Sequence, residues 1–375
     1  MTDSVSNNRL PKSAAAALAA GSSELASQDV TIGLDGFVDE IVSVVDKRES
    51  ADQFTRLSTL SAFARRIAQA AGKGTNAELV VTQVKLGGNG PIMADALAAF
   101  GMRVIYIGSL GYPTLHPAFE QLARHATVYS IAEPGHTDAL EFDDGKLMLG
   151  KHATLRDINW QRLMERVGRE KLFESFSASS LVGLQNWTML PYMNDIWQHV
   201  LDEFCPKLPS RTRRMIFFDL ADPEKRDLRD IQRAMELVGK FQQFFETYLG
   251  LNEKESFEIG SVLGYDGPNE GEDAVRAVAK FIQKAIKVSA VVVHPRAYAV
   301  AADGKDEALV HGPFAPEPLI STGAGDHFNA GFCLGKLIGT DNEIALQLGV
   351  GASGYYVRTA KSPTTQNLAE FLQSL

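Results

Sequence analysis

The spacing of apolar positions switches repeatedly between a two-residue and a three-to-four-residue period. Residues 30–34 are a continuous apolar-rich run, and 35–45 alternates with β-branched residues, which predicts a strand followed by a strand or hairpin. The period then lengthens. Phe54, Leu57, Leu60, Ala64, Ile67, Ala68 and Ala71 recur at threes and fours, predicting one amphipathic helix over 52–71, closed by Gly72-Lys73-Gly74. Residues 79–86 read as a strand, Gly87-Gly88 as a turn, and the small-residue run up to Phe100 as a helix. Short apolar runs at 104–107, 181–184, 215–220 and 290–293 predict buried strands, with helical stretches between them, one at 117–125. Residues 139–142 and 146–149, joined by Asp143-Asp144-Gly145, predict a hairpin. This alternation predicts an α/β fold with a mostly parallel sheet covered on both faces. Residues 1–28 read as a polar tail and a short Ala-rich helix, and 29–375 as one domain without repeats or low-complexity linkers.

One stretch departs from plain periodicity and points to chemistry. In Ile320-Ser321-Thr322-Gly323-Ala324-Gly325-Asp326-His327-Phe328, small residues lead into a carboxylate and then a helical run. Glycines let the chain turn so that backbone N–H groups converge at the start of the helix, where the dipole favours an anion. Asp326 beside such a site makes sense as a base for a hydroxyl attacking a phosphorus atom held by the amides of Gly323, Ala324 and Gly325. The alternative is a Gly-rich helix start whose Asp only caps.

Composition narrows the partners. A net charge of −9 argues against nucleic acid or an anionic membrane surface. The two cysteines, Cys205 and Cys333, are far apart in sequence and read as buried thiols in a reducing compartment. No apolar run reaches the ~20 residues that span a bilayer, and the Ala-rich stretch at 13–20 reads as a helix leading into the domain rather than an export signal, which points to the cytoplasm.

The 320–332 run resembles the C-terminal signature of the ribokinase-like carbohydrate kinases, the PfkB family, with its T-G-A-G-D-x-F core. Two further matches stand upstream in family order. Gly87-Gly88-Asn89 with the helix to Gly101 resembles the N-terminal signature, and Asn252-Glu253-Lys254-Glu255 resembles the N-x-x-E motif. The resemblance covers roughly residues 30–375. It implies a three-layer α/β/α sandwich with a small β lid drawn from about 36–50, 102–112 and 137–152, and a homodimer formed through that lid. It implies a kinase moving the terminal phosphate of a magnesium nucleotide, ATP, to a hydroxymethyl group of a sugar or polyol. Asp326 would be the general base. Asp35, Asp39, Gly87, Gly88 and Asn89 would meet the acceptor. Asn252, Glu255, His294, Arg296 and Asn329 would meet the nucleotide, with Glu255 and Asp219 at the magnesium.

This sequence also leaves the family pattern at three places. A second Asn expected three residues after Asn89 is Ile92, which makes that side of the pocket less polar. After the 291–293 strand, the expected glycines are replaced by Arg296 and Ala299 in His294-Pro295-Arg296-Ala297-Tyr298-Ala299. A guanidinium there grips phosphate or fills the nucleotide site. Ile320 stands where an Asp would help bind a monovalent cation, so potassium activation is not expected. These departures motivate a competing reading, a non-catalytic sugar- or nucleotide-binding regulator; a nucleoside kinase of the same fold is a further alternative. A dinucleotide-dependent dehydrogenase is a distant third reading, since no G-x-G-x-x-G follows an early strand and the Gly-rich loop is at the wrong end of the chain.

Overall fold

The computed structural model describes residues 9–210 and 213–375; residues 1–8 of the expected tail lie outside the described residues. Strands are numbered along the chain. Seven of them, β1 (Asp29–Leu34), β5 (Arg103–Gly108), β6 (Ala126–Ser130), β9 (Leu181–Leu184), β10 (Met215–Asp219), β11 (Glu246–Leu251) and β12 (Ala290–Val293), pair in parallel. β13 (Tyr298–Asp303) and β14 (Glu307–His311) extend one edge antiparallel. The nine strands run β14-β13-β12-β11-β10-β9-β1-β5-β6.

Central strands such as β9, β10 and β12 are buried along their whole length, as a parallel sheet with helices on both faces requires. Two cores result. One face packs Trp187, Trp197, Phe218 and Phe241; the other packs Met93, Phe217, Phe328 and Phe332. This is the expected three-layer sandwich. Crossovers over the sheet join its parallel strands, and β12 instead turns back directly into antiparallel β13.

A second sheet of five strands sits over the carboxyl end of the first: β2 (Phe37–Arg48), β3 (Phe54–Arg56), β4 (Leu79–Gly87), β7 (Gly135–Phe142) and β8 (Gly145–Lys151). It has its own small core of Val42, Val44, Phe63, Leu140 and Phe142. The 139–149 hairpin is present, with Phe142 paired to Gly145 across the two-residue turn.

Two expectations are corrected. The segment 102–112 contributes no strand to this lid: Arg103–Gly108 is β5, buried between β1 and β6, and β4 takes its place by pairing antiparallel with β2. The 52–71 helix is shorter than its periodicity suggests. Phe54–Arg56 completes the open edge of β2, and Thr59 caps the helix Leu60–Gln69 by accepting the Ala62 N–H. Backbone pairing along a free strand edge outweighs the apolar spacing of Phe54 and Leu57.

The N-terminal helix Arg9–Leu25 is integral to the fold rather than separate from it. It packs against the C-terminal helices Asn342–Thr359 and Thr365–Ser374, burying Ala14, Ala15, Leu18 and Leu25. Cys205 and Cys333 are buried and unpaired. No helix among the described residues is long and apolar enough to cross a membrane.

Candidate active site

The parallel strands end at one level, and the residues that follow them converge there, as ligand sites do in open α/β sheets. Asp35 follows β1, Gln185 and Asn186 follow β9, Asp219 closes β10, Asn252 follows β11 and His294 follows β12. The helix Ala324–Leu337 points its amino end at the same place, and Gly323 supplies its N-cap at φ 91. That left-handed angle needs glycine.

Asp326 lies in the first turn of this helix. Only 6 % of it is exposed, and its Oδ1 accepts the Asn89 Nδ2–H at 3.0 Å. Burial pushes its carboxyl well above the usual carboxylate range, and the nearby Asp35 charge adds to this, while the Asn89 bond opposes it. The result is a more basic carboxylate, oriented by one amide. The Ala324 N–H donates to the Ser321 carbonyl at 3.2 Å and closes the turn, so of the three amides expected at an anion this one is already engaged within the protein. His294, held neutral with a pKa of about 4 by burial, packs on the Phe328 ring at 4.8 Å. A Cβ added at Gly325 would stand 3.1 Å from His294 Cε1, so the close approach depends on glycine.

Asp35, expected to meet the acceptor, has both carboxyl oxygens engaged within the protein. It is fully buried; Oδ2 accepts from the Asn89 N–H (3.0 Å) and Asn186 Nδ2 (2.9 Å), and Oδ1 from the Gly90 N–H (2.9 Å). It therefore fixes the start of the helix Asn89–Ala99, and through it the Asn89 side chain that holds Asp326. The Gly87-Gly88 pair serves the same packing. A Cβ at Gly87 would come within 2.5 Å of the Asp39 carboxylate, and one at Gly88 within 2.8 Å of Asp35 Oδ2. These glycines admit carboxylates where the sequence suggested a sugar. Asp39 itself projects from β2 into a cavity of about 620 Å³ that also touches Ile92, Thr322 and Tyr356. Burial raises its carboxyl, while Lys85, a hydrogen bond from Thr137, and Lys146 pull the other way.

A second cavity, about 710 Å³, opens on the other side of the Gly323–Gly325 turn, between His294, Arg296, Pro313, Thr322 and Phe328. Arg296 is exposed at its wall and does not fill it. Thr322 lines both cavities, so the start of the turn that leads to Asp326 lies between them, while Asp326 itself lines neither.

Below the turn lies a buried polar layer. Asp219 Oδ2 accepts from Asn329 Nδ2 at 2.8 Å, and among the described residues the buried Asn329 Oδ1 has no partner, nor have the two amide atoms of Gln185. Burial pushes Asp219 well up, and the Glu255 and Asp326 charges add to it. Glu255 forms a capping box with Asn252 on the helix Glu253–Val262. Its Oε2 accepts the Asn252 N–H and its Oε1 the Asp222 N–H, so both oxygens are already engaged. Among the described residues no group of three or more His, Cys, Asp or Glu side chains is arranged to hold a metal directly. The oxygen-only set of Asp219 and the orphaned Asn329 Oδ1 does fit a hard cation that keeps its water shell.

Sequence reasoning missed Asn186, Gln185, Lys146 and Tyr356. Lys146 reaches from the lid to within 3.5 Å of Thr322 Oγ1, and Tyr356 donates to the Thr322 carbonyl at 3.1 Å. Two adjacent amides directly after an apolar four-residue strand were the available signal for Gln185 and Asn186; nothing local marked Lys146 or Tyr356.

A family model described as prokaryotic ketohexokinase matches residues 12–375. A ketohexokinase from Haloferax volcanii is 29 % identical over 344 residues, covering 91 % of this chain and 90 % of that one. Among solved structures, Arabidopsis thaliana ribokinase complexed with ribose and ATP superposes with a TM-score of 0.62 at 16 % identity, covering 92 % of this chain and 98 % of that one. Escherichia coli phosphofructokinase-2 gives 0.63 at 14 %, covering 93 % and 99 %. The structural likenesses speak for the ribokinase fold.

Proposed function

Because the chain belongs to the prokaryotic ketohexokinase family and is a carbohydrate kinase, we propose that it transfers the terminal phosphate of magnesium ATP to a hydroxymethyl group of a ketohexose, with Asp326 as general base. The observation that carries this reading is Asp326, buried and held by Asn89, in the first helical turn after Thr322, which lines both cavities.

The acceptor occupies the cavity that Asp39 enters. Asp39 accepts hydrogen bonds from sugar hydroxyls, Ile92 packs against carbon, and Lys146 and Thr322 close the lid side. The nucleotide occupies the opposite cavity, with Arg296 at its wall and the Gly323 and Gly325 amides toward the terminal phosphate. Asp326 orients the acceptor hydroxyl and takes its proton as the new O–P bond forms. The bond to the bridging oxygen breaks, and that electron pair leaves with ADP. The helix dipole and the two amides stabilise charge on the transferring group. Magnesium, when bound, neutralises charge on the phosphates; Asp219 and Asn329 would hold it through water, with Asn252 and Glu255 shaping the wall behind. Asp35 and Asn186 touch no reactant and keep Asn89 in place.

A second copy of the chain covers the lid. Leu79, Val81 and Val84 are each more than two-fifths exposed on β4. The bulge opposite Ile41 and Val42 skips Thr82, which brings Val84 onto the same face as the other two. An apolar strand face of this kind is protected by pairing. The cytoplasm suits a kinase with two unpaired thiols.

The test is turnover with magnesium ATP across fructose, tagatose, glucose, ribose and adenosine, with the product position read by NMR. Phosphorylation of a ketohexose at a hydroxymethyl carbon is expected. Nucleotide and sugar binding without ADP release from any of the panel favours the regulator instead.

A further inference from the structure

His327 follows the base directly, yet the mechanism above gives it no part. It is 1 % exposed. Its Nδ1 donates to the Gly323 carbonyl at 2.8 Å, and its backbone N–H reaches the same oxygen at 3.1 Å. Nε2 lies 3.0 Å from Ser362 Oγ, which donates to Asp95 Oδ2 at 2.8 Å. The Tyr356 ring stacks on the imidazole with centroids 3.7 Å apart, and its hydroxyl holds the neighbouring Thr322 carbonyl at 3.1 Å. The two carbonyls leading into the Gly323–Gly325 turn are thus both gripped by side chains. The grip is anchored on three other segments: the helix Asn89–Ala99 through Asp95, the helix Asn342–Thr359 through Tyr356, and the turn at Ser362.

Counting protons sharpens the point. A carbonyl only accepts, so Nδ1 carries a hydrogen. With the Ser362 hydroxyl given to Asp95, the serine oxygen has to accept from Nε2. The chain is complete only with one proton more than an ionised Asp95 and a neutral imidazole supply. Burial disfavours charge at both ends, lowering His327 to about 4 and raising Asp95. The charged or titratable groups nearest this chain are His125 beside Asp95, and Asp326 and Asp39 beside Tyr356.

We propose that the Asp95–Ser362–His327 chain, together with Tyr356, is a positioning device for this turn: the grip on the Thr322 carbonyl aims the Gly323 amide at the transferring phosphoryl group, and the grip on the Gly323 carbonyl holds the Ala324 amide on Ser321, which keeps the turn closed. The proposal rests on the reading of that turn as the anion hole of a kinase. A peptide plane whose carbonyl is clamped cannot rotate, and the amide on its far side is clamped with it. Gly323, with its positive φ and no Cβ, is the residue in the turn most free to reorient, and it is the one held twice.

The experiment uses the full-length protein and steady-state kinetics of Ser362→Ala, Ser362→Thr, His327→Phe and Asp326→Asn. His327→Phe keeps a ring to stack on Tyr356 and removes the donor. Ser362→Ala should lower kcat by about five- to tenfold and His327→Phe by about tenfold or more, the scale of one orienting hydrogen bond, with KM for ATP within about twofold; both side chains also line the cavity given to the sugar, so its KM is not the readout. Ser362→Thr should restore kcat. Parental kcat in both disabling variants, a loss not recovered by Thr, or a loss appearing wholly in KM would overturn the proposal. Asp326→Asn separates the two ideas. If it abolishes turnover while Ser362→Ala leaves kcat intact, only the positioning device fails. If Asp326→Asn keeps turnover, the kinase reading of the turn fails and takes the device with it.

Discussion

Replacing Asp326 by Asn isolates basicity from geometry. Asn keeps an oxygen at the Oδ1 position, so the 3.0 Å bond from Asn89 Nδ2 survives and the side chain stays oriented. What disappears is the proton acceptor, worth about 10²–10⁴-fold, or roughly 3–5 kcal/mol of barrier. A second consequence follows from charge. Burial first, and the Asp35 charge next, raise the Asp326 pKa in the folded state. A raised folded-state pKa means stability from this group is fully present below the ordinary carboxylate value and is lost as pH rises through the shifted one. The Asn variant has no such loss. Three results are therefore expected together: kcat down by at least about two powers of ten, ATP affinity held or improved because a negative charge has left the phosphate side, and a melting temperature near neutrality no lower than the parent's, its advantage shrinking at acid pH. ADP release by a coupled assay, nucleotide calorimetry and thermal melts at both pH values read them out. Turnover within tenfold of the parent on an identified sugar refutes the base assignment. A clear loss of stability near neutrality refutes the account of Asp326 as a buried charge.

Other outcomes follow from the same geometry. Asp39→Ala should raise the sugar KM with little change for ATP, whereas Asn89→Ala should lower kcat as well, because it frees the Asp326 side chain; equal effects on KM alone in both variants would contradict the different positions of the two residues. Arg296→Ala should weaken ATP binding by about tenfold, the lower end for a charge-assisted contact because the guanidinium is exposed; tighter binding in calorimetry would mean that Arg296 obstructs the cavity. Asp219→Asn should gain stability relative to the parent as pH rises from acid toward neutrality, since burial and the Glu255 charge raise Asp219; melts that stay parallel across that range would contradict it. Gly87→Ala should destabilise the protein and raise the sugar KM, because its Cβ would displace the Asp39 carboxylate; a parental melt would show that Asp39 has room to move.

Much of this was legible in the sequence because it is local. The Gly323–Asp326 turn, the Gly87-Gly88 turn and the buried strands β9, β10 and β12 are set by glycine freedom and short apolar runs, which neighbouring residues display. The edge strands β6 and β14 carry no comparable signal, being recruited to the sheet by backbone pairing. The Phe54–Arg56 strand was hidden for the same reason, beneath a spacing that fits a helix. In the site, Asp326 was legible and its holder was not: Asn89 lies 237 residues away, and Asp35, apt in sequence for a sugar hydroxyl, is instead consumed by the amides of a helix start. Tyr356 and Ser362 lie in ordinary helical and turn contexts, and only packing brings them to the turn.

The separate core of the lid bears on how tightly a sugar can be held. Val42, Val44, Phe63, Leu140 and Phe142 share no cluster with the two cores of the main body. A unit closed by so few side chains opens at a free energy well below that of global unfolding, so its amides should exchange with solvent as a cooperative group while β9 and β10 stay protected. Closing over a sugar then draws part of the binding free energy into ordering the lid. The affinity for the sugar would then understate the contacts made to it, and a substitution filling space around Phe63 would tighten binding without touching the sugar, with slower product release.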